Sequence, residues 1–425
     1  PRPLAIEQQD IERLLRERLR QLGTDVQWAT EAVAVRTCDD GAEVDVRGPG
    51  HRLRTVGCRW LVGCEGAHSL VRRTLGVPFE GERRFDLQAL QINAQADWRY
   101  PYLPDLVYFF LDHRATVMAS PRPGGGYRFF AFCTDPDPLL EAPPGLDEMR
   151  TLVARVARDD GTRLVPTSPP WTNRSRFHDR MAASLRRGRV LLAGDSAHLW
   201  APIGGHGLNT GLRGAHNLGW KLAAVHRGWA VEALLDTYNT EQRHTAGQVM
   251  REMRRNVLEL PPGRATLAGM RLLLPALLSS ERVARRGRGL LSDFARHHGE
   301  SELSSGFARH GLHAGDRLPD LPVTAQRGPC HLHDLLSYDR WTLLLVPEED
   351  GKGETAETAR LRALIDRHAV PVELFRVRPQ ARARGGLSPG SLLLVRPDGH
   401  IGLLARANDQ HALHAYLSRW FTPGR

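Results

Sequence analysis

The residues best suited to chemistry gather in one stretch of the chain. Asp195 lies in the run Gly194-Asp195-Ser196-Ala197-His198, and after five residues comes Gly204-Gly205-His206-Gly207-Leu208-Asn209-Thr210-Gly211. A carboxylate beside glycines can accept hydrogen bonds from a large polar ligand while bare backbone approaches it closely. The surrounding pattern says what positions these groups. Val190-Leu191-Leu192-Ala193 reads as a strand covered on both faces, and Gly194 permits the turn that carries Asp195 out at its C-terminal end. Ligands bind at such ends in α/β sheets. From Leu208 the apolar positions Leu212, Ala215, Leu218, Leu222 and Val225 recur at helical spacing, and Gly228 reads as the C-cap. Gly211, Gly214 and Gly219 are expected to leave room for a close neighbour. The N-terminus of that helix offers unpaired N–H groups and partial positive charge, which stabilise an anionic or electron-rich ring edge.

A second strand-turn-helix runs from Arg59 through Gly63-Cys64-Glu65-Gly66 to Arg72 and Arg73, ending near Gly76 before Val77-Pro78. Its turn carries the acid Glu65. Arg72 and Arg73 either approach phosphate or are solvated helix residues. Upstream, Glu7 to Leu22 places Ile11, Leu14, Leu15, Leu19 and Leu22 on one helical face, with Gly23 as the stop. Short β segments follow at Asp25 to Trp28, Glu31 to Arg36, Ala42 to Arg47 and Leu53 to Arg59, with a turn at Asp39-Asp40-Gly41.

The order of the first stretch resembles the second flavin-binding motif of the single-component FAD-dependent aromatic hydroxylases, the family of para-hydroxybenzoate and phenol hydroxylases. That motif reads G-D-A-A-H, P-x-G-G-Q-G, N-x-G and D-A-x-N-L-x-W-K-L. The matching residues are Gly194, Asp195, Ala197, His198, Pro202, Gly204, Gly205, Gly207, Asn209, Gly211, Ala215, Asn217, Leu218, Trp220, Lys221 and Leu222. The resemblance implies that Asp195 hydrogen-bonds the ribityl chain of FAD. It also implies that Pro202 and Gly205 contact the cofactor and that the amides around Gly207, Leu208 and Asn209 face the pyrimidine edge of the isoalloxazine, where reduced flavin carries negative charge. The second segment is similar to the family's V-G-x-D-G-x-x-S-x-V-R, which places Glu65 near the FAD and NADPH pyrophosphates, one methylene longer than the usual Asp. Gln8 aligns with a glutamine set against the flavin. His206 replaces a Gln and Gly214 an Asp. Leu234, Leu235, Tyr238, Glu241 and Arg243 resemble L-L-x-x-Y-x-x-E-R-R-P, from which Gln242 and His244 depart. His198, Trp220 and Lys221 read as structural.

The chain shows no G-x-G-x-x-G with a strand before it and an acidic ribose ligand after it, the fingerprint of the adenine half of FAD. The intact polypeptide is therefore expected to include further upstream residues, or a partner chain supplies them. The fold class expected is α/β, mixed with α+β: a Rossmann-like FAD-binding domain without its N-terminal βαβ unit, an inserted β-sheet substrate domain and a thioredoxin-like C-terminal domain. The expected boundaries are 1–78 and 178–310 for the FAD-binding domain, 79–177 for the substrate domain and 311–425 for the C-terminal one. Alternating segments at Leu87 to Ala94, Val107 to Leu111, Ala115 to Ala119 and Tyr127 to Cys133 support the inserted sheet, with a hairpin at Pro121 to Gly126. Tyr102, Tyr108, Phe109, Phe110, Phe129 and Phe130 wall an aromatic substrate or, for most, fill the core. Arg-rich helical stretches run on to about His298. Trp341 to Val346 and Ser391 to Pro397 read as buried strands, Ala356 to His368 as a helix and Asp398-Gly399 as a hairpin turn. Cys330 stands alone, without a Cys-x-x-Cys partner.

The 425 residues carry a formal charge of +10, but the basic residues are nearly all Arg, dispersed among Glu and Asp without the interleaved aromatics of a nucleic-acid stacking platform. Five scattered cysteines give no disulfide framework. No apolar stretch reaches the roughly 20 residues of a membrane span. A cytoplasmic enzyme is expected, without nucleic-acid, membrane or metal partners, with a homodimer open. Its family chemistry would be NAD(P)H-dependent monooxygenation of a phenolic or polycyclic, polyketide-type aromatic by O2, through a flavin hydroperoxide. Baeyer–Villiger oxygenation and a flavin-less scaffold protein are the alternatives. No catalytic base or nucleophile stands out.

Overall fold

A tight Asp39-Asp40 turn and alternating apolar residues build an antiparallel meander of β1 (Glu31–Cys38), β2 (Gly41–Arg47) and β3 (Leu53–Cys58). Val35, Ala42 and Val44 face the core from it. The structure is a computed structural model that describes residues 6–135, 137, 139–200, 205–254, 263–278, 296–306, 311–348, 356–380 and 387–424. Asp25 to Trp28, expected as a strand, forms none. Helix α1 (Gln8–Gln21) forms where its periodicity predicts, yet none of its residues is buried, and Leu14 and Leu15 are half exposed. Its side-chain bonds four residues apart, Gln8 to Glu12 at 2.8 Å and Arg13 to Glu17 at 3.1 Å, run along its surface.

Three short strands hold the two motifs together. β4 (Leu61–Gly63) pairs in parallel with β12 (Val190–Leu192), and β11 (Arg186–Arg187) closes the other side of β12. All three β12 residues are buried, as a continuous apolar run demands. Helix α2 (Leu70–Thr74) follows β4.

The large sheet runs in the order β13 (His198–Leu199), β10 (Thr172–Ala182), β5 (Phe79–Asp97), β8 (Tyr127–Thr134), β7 (Ala115–Pro121) and β6 (Tyr108–Leu111), with β9 (Arg163–Pro166) also pairing β5. Helix α3 (Leu146–Ala157) lays Met149, Leu152, Val153 and Val156 on it. Trp98 anchors the aromatic cluster, its ring meeting Tyr108, Phe110, Tyr127 and Phe129 edge-on at 5.2–6.0 Å. The aromatics therefore divide: Phe129 and Phe130 are buried, Tyr108 and Phe110 pack around Trp98, and Tyr102 and Phe109 stay exposed.

After β13 come α4 (His206–His226), α5 (Asp236–Arg254) and α6 (Arg264–Leu278), while residues 255–262 and the Arg-rich 279–295 lie outside the described residues. The C-terminal sheet orders β14 (Ser305–Gly306), β21 (Ile401–Arg406), β20 (Ser391–Val395), β17 (Trp341–Val346) and β18 (Val372–Arg376). β17 and β18 are parallel across α7 (Ala356–Ile365), and the β20–β21 hairpin turns through Gly399 at φ +78°. With α8 (Gln410–Trp420) this is the mixed, helix-flanked sheet expected of a thioredoxin-like fold. One core joins it to α4, uniting Trp220, Ala224 and Val225 with Trp341, Leu343 and Leu394. A separate antiparallel sheet has the order β16 (Gly328–His331), β15 (Pro322–Ala325) and β19 (Arg378–Pro379). Among the described residues no helix is long and apolar enough to cross a membrane.

Candidate functional site

Because β4 and β12 are parallel neighbours, the turns that leave them emerge side by side. The Ala193 N–H donates to Gly63 O at 2.9 Å, and Gly194, at φ +57°, takes the left-handed conformation that opens the turn. Ser196 then ties the two turns together. Its Oγ accepts from the Gly66 N–H at 2.9 Å and donates to Glu65 Oε2 at 3.2 Å. Glu65 also accepts from Ser69 Oγ at 2.9 Å and from the Val71 N–H at 2.8 Å. Burial pushes the Glu65 carboxyl up, but the Val71 and serine hydrogen bonds prevail and hold it below the usual carboxylate range. Both carboxylate oxygens are thus engaged in fixing the start of α2. Arg72 follows neither of its expected courses: it is buried, donates to Ser196 O at 3.0 Å and Ala67 O at 2.6 Å, and stacks 3.8 Å over Phe79.

Asp195 contrasts with Glu65. It is exposed, and its carboxylate accepts no hydrogen bond from any described residue, while partial enclosure by the protein pushes its pKa up. Helix α4 contacts the Gly194–Ser196 turn and starts at Gly205, φ +70°. Its first turn presents Gly207, Leu208 and Asn209, the latter two exposed. A Cβ built on Gly207 or Gly211 would meet nothing within 4 Å. Among the described residues no neighbour therefore explains why these positions lack side chains, and the same holds for Gly219. The expected close packing is found only at Gly214, whose Cβ would sit 3.0 Å from Gln242 Oε1. Thr210 Oγ1, beside this turn, is buried without a partner among the described residues. Gln8 is exposed at the start of α1, whose preceding Glu7 accepts at 2.8 Å from Arg122, in the turn that follows β7. Pro202 lies outside the described residues. His198 is buried against Trp200, and burial lowers its pKa to about 4, so it is neutral and structural.

These groups fit FAD: a partnerless carboxylate for hydroxyls, an exposed helix N-terminus for an anionic ring edge, and glycines with open space for close approach. Bound there, FAD would supply electron transfer and oxygen chemistry. The chain's part would be orientation through Asp195 and charge stabilisation by the first-turn amides of α4.

Sequence reasoning missed a second polar centre on the same helix. Glu241 of α5 accepts from Lys221 Nζ at 2.8 Å, Asn217 Nδ2 at 2.6 Å, Ser301 Oγ at 2.6 Å and both terminal nitrogens of Arg396 at 2.8 and 2.9 Å. Asp398 accepts from Arg396, Asn217 and the Trp220 Nε1–H. Burial opposes both carboxylates, yet Arg396, with Lys221 for Glu241 and His400 for Asp398, holds them well below the ordinary range. Burial lowers Lys221 to about 8, with Glu241 keeping it protonated at neutral pH. The sequence signal was available: Lys221 is one of only two lysines, set in an apolar helix face.

The FAD binding domain family matches residues 1–253, and the family described as aromatic-ring hydroxylase, C-terminal, matches residues 311–424. The chain is 31% identical over 441 residues to 6-methylpretetramide 4-monooxygenase of Streptomyces rimosus, covering 98% of this chain and 76% of that one. It is 34% identical over 420 residues to dialkyldecalin synthase of Streptomyces rugosporus, covering 99% and 80%. The solved anhydrotetracycline hydroxylase OxyS from Streptomyces rimosus superposes with a TM-score of 0.75 at 32% identity, covering 99% of this chain and 81% of that chain.

Proposed function

The chain belongs to the single-component FAD-dependent aromatic-ring hydroxylases, and on that premise we propose that its substrate is a polycyclic, polyketide-type phenol. It is a monooxygenase of aromatic compounds with FAD as cofactor and NAD(P)H as the reductant typical of the family. O2 is the co-substrate and the cytoplasm the place of action. Residues 1–78 and 178–310 form the FAD-binding domain, 79–177 the substrate domain and 311–425 the C-terminal domain. Asp195, Glu65, Gln8, Pro202, Gly205, Gly207, Leu208 and Asn209 make up its flavin site.

One observation carries the reading: the partnerless Asp195 stands where β12 ends beside its parallel neighbour β4, α4 contacts the turn that carries it, and the chain passes from Asp195 straight into β13, the edge of the large sheet. A cofactor held at the first would face a ligand held on the second. Enclosure between them is the protein's main task, since oxygen transfer from reduced flavin fails when water reaches it. The relatives named for tetracycline-type substrates favour a polycyclic compound over a simple phenol.

The test is to load the purified protein with FAD and offer simple phenols beside polycyclic ones. NADPH oxidation matched mole for mole by a product with one added oxygen is expected for the polycyclic set. Equal coupling with simple phenols would overturn the substrate class. A rearranged product made without O2 or reductant would move the chain to the chemistry that the name dialkyldecalin synthase describes.

A further inference from the structure

Two cavities meet where α4 and α5 face the C-terminal sheet. The first, about 370 Å³, is lined by Arg213, Asn217, Gln242, His298, Arg317 and His400, among others. The second, about 260 Å³, is aromatic, lined by Trp220, Trp229, Tyr338 and Trp341. His216, Tyr338 and Pro397 line both, so the two form one cleft, polar and basic at one end and aromatic at the other.

The polar end is unusual in its unmet hydrogen bonds. Five of its lining residues each carry a buried side-chain atom without a partner among the described residues: Asn217 Oδ1, Gln242 Oε1, Thr245 Oγ1, His298 Nδ1 and His400 Nε2. All five residues are more than nine-tenths buried. The Asn217 orientation is fixed, because its Nδ2 donates to Glu241 and Asp398, which can only accept. Its Oδ1 must therefore find a donor elsewhere. Buried polar atoms are nearly always satisfied, so five together mark a place built for a ligand rich in hydroxyl or N–H groups. The sequence makes room for it. Gly214 and Gln242 stand where the family pattern has Asp and Arg, and a Cβ at Gly214 would sit 3.0 Å from Gln242 Oε1. Two departures from that pattern thus face each other, and together they put an amide where a charged pair would fill the space.

We propose that this cleft binds a nucleotide, its phosphate drawn to Arg213 and Arg317, its ribose hydroxyls satisfying the partnerless acceptors and its base lying in the aromatic end against Tyr338 and Trp229. Guanidinium groups suit phosphate oxygens, and aromatic rings suit a planar base. Asp398, the acid in the polar end, is already neutralised by Arg396 and does not repel the phosphate. Among the described residues no cluster of His, Cys, Asp or Glu could hold a metal ion, so the histidines are read as hydrogen-bonding groups. The proposal does not depend on which aromatic compound is oxygenated. The ligand is either the adenosine half of the reductant or a free nucleotide.

The test is titration of the full chain with 5′-AMP, 2′,5′-ADP, adenosine and inorganic phosphate, followed by isothermal calorimetry and by tryptophan fluorescence. Saturable binding of a nucleotide is expected, at least about tenfold tighter than adenosine or phosphate alone. Arg317→Ala should weaken it about tenfold or more, and the double variant Gly214→Asp, Gln242→Arg, which fills the cavity, should abolish it. Tyr338→Ala, at a residue 82% exposed and so tolerant of replacement, should weaken the nucleotide but not phosphate, and it keeps the test alive if the double variant does not fold. Competition by NADPH identifies the reductant as the source; nucleotide binding that NADPH does not displace identifies a free nucleotide. No saturable binding at millimolar nucleotide, binding of phosphate as tight as that of AMP, or binding untouched by both Arg317→Ala and Tyr338→Ala overturns the proposal.

Discussion

Helix α4 has two ends with opposite electrostatic character. At its start the exposed Asp195 carboxylate on the adjoining turn accepts no hydrogen bond from any described residue, and a Cβ at Gly207 or Gly211 would meet no described atom within 4 Å. In its second half Asn217, Trp220 and Lys221 are buried and bonded to Glu241 and Asp398. Two cations, Lys221 and Arg396, meet two carboxylates with no side-chain exposure above 4%. The first arrangement costs little while solvent is present and becomes productive only when a ligand enters. The second must be complete to exist at all, because a buried charge left unpaired is strongly unfavourable. One helix thus carries the proposed cofactor edge at one end and the rivet that fastens the C-terminal sheet at the other.

The sharpest way to break this contrast is at Glu241. Glu241→Ala leaves Lys221 and Arg396 buried without their shared anion, and a loss of about 3–5 kcal/mol is expected in urea unfolding. The acid arm has a definite sign. Glu241 and Asp398 have native pKa values depressed below their unfolded ones, so their stabilisation is full above pH about 4 and is lost as the pH falls through the native values. A stability profile from pH 7 to pH 3 should therefore fall less steeply in Glu241→Gln than in the parent chain, and parallel profiles would refute the rivet.

Asp195→Ala should do the reverse, costing about 1.5–3 kcal/mol in FAD affinity while the unfolding curve stays within about 0.5 kcal/mol. A matched loss of stability in flavin-free protein would show that Asp195 has a structural partner. Gly207→Ala sharpens the point, since the new methyl meets no described atom within 4 Å and alanine favours the helix by roughly 0.5–1 kcal/mol. Thermal melting should rise and flavin fluorescence titration should show weaker binding; unchanged binding would place the cofactor elsewhere. The smallest effect is expected for Ser196→Ala, about 1 kcal/mol in stability from the lost bonds to Gly66 and Glu65, read by chemical denaturation.

Much of the flavin end was legible in the sequence because its signals are local. An apolar run of strand length, a glycine at positive φ and a helical apolar period each involve only a few neighbouring residues, and β12, Gly194 and α4 appear where those patterns put them. The helical period of α1 was equally legible, but burial of its apolar face was not decided by it, and Leu14 and Leu15 lie outside every core cluster. Periodicity sets which residues share a face. Whether that face meets a neighbour depends on the rest of the molecule.

By itself, then, the sequence determined the strand-turn-helix units, the carboxylate at a strand end and the family to which the motifs point. The tertiary structure alone decided that Glu65 is bound up with Ser196, that Arg72 is buried rather than free for phosphate, and that Arg396 closes on Glu241 from 155 positions away. The physical reason is that these are pairings between charges and hydrogen-bonding groups brought together by sheet register and helix docking, and no local spacing encodes which distant group will satisfy a buried one.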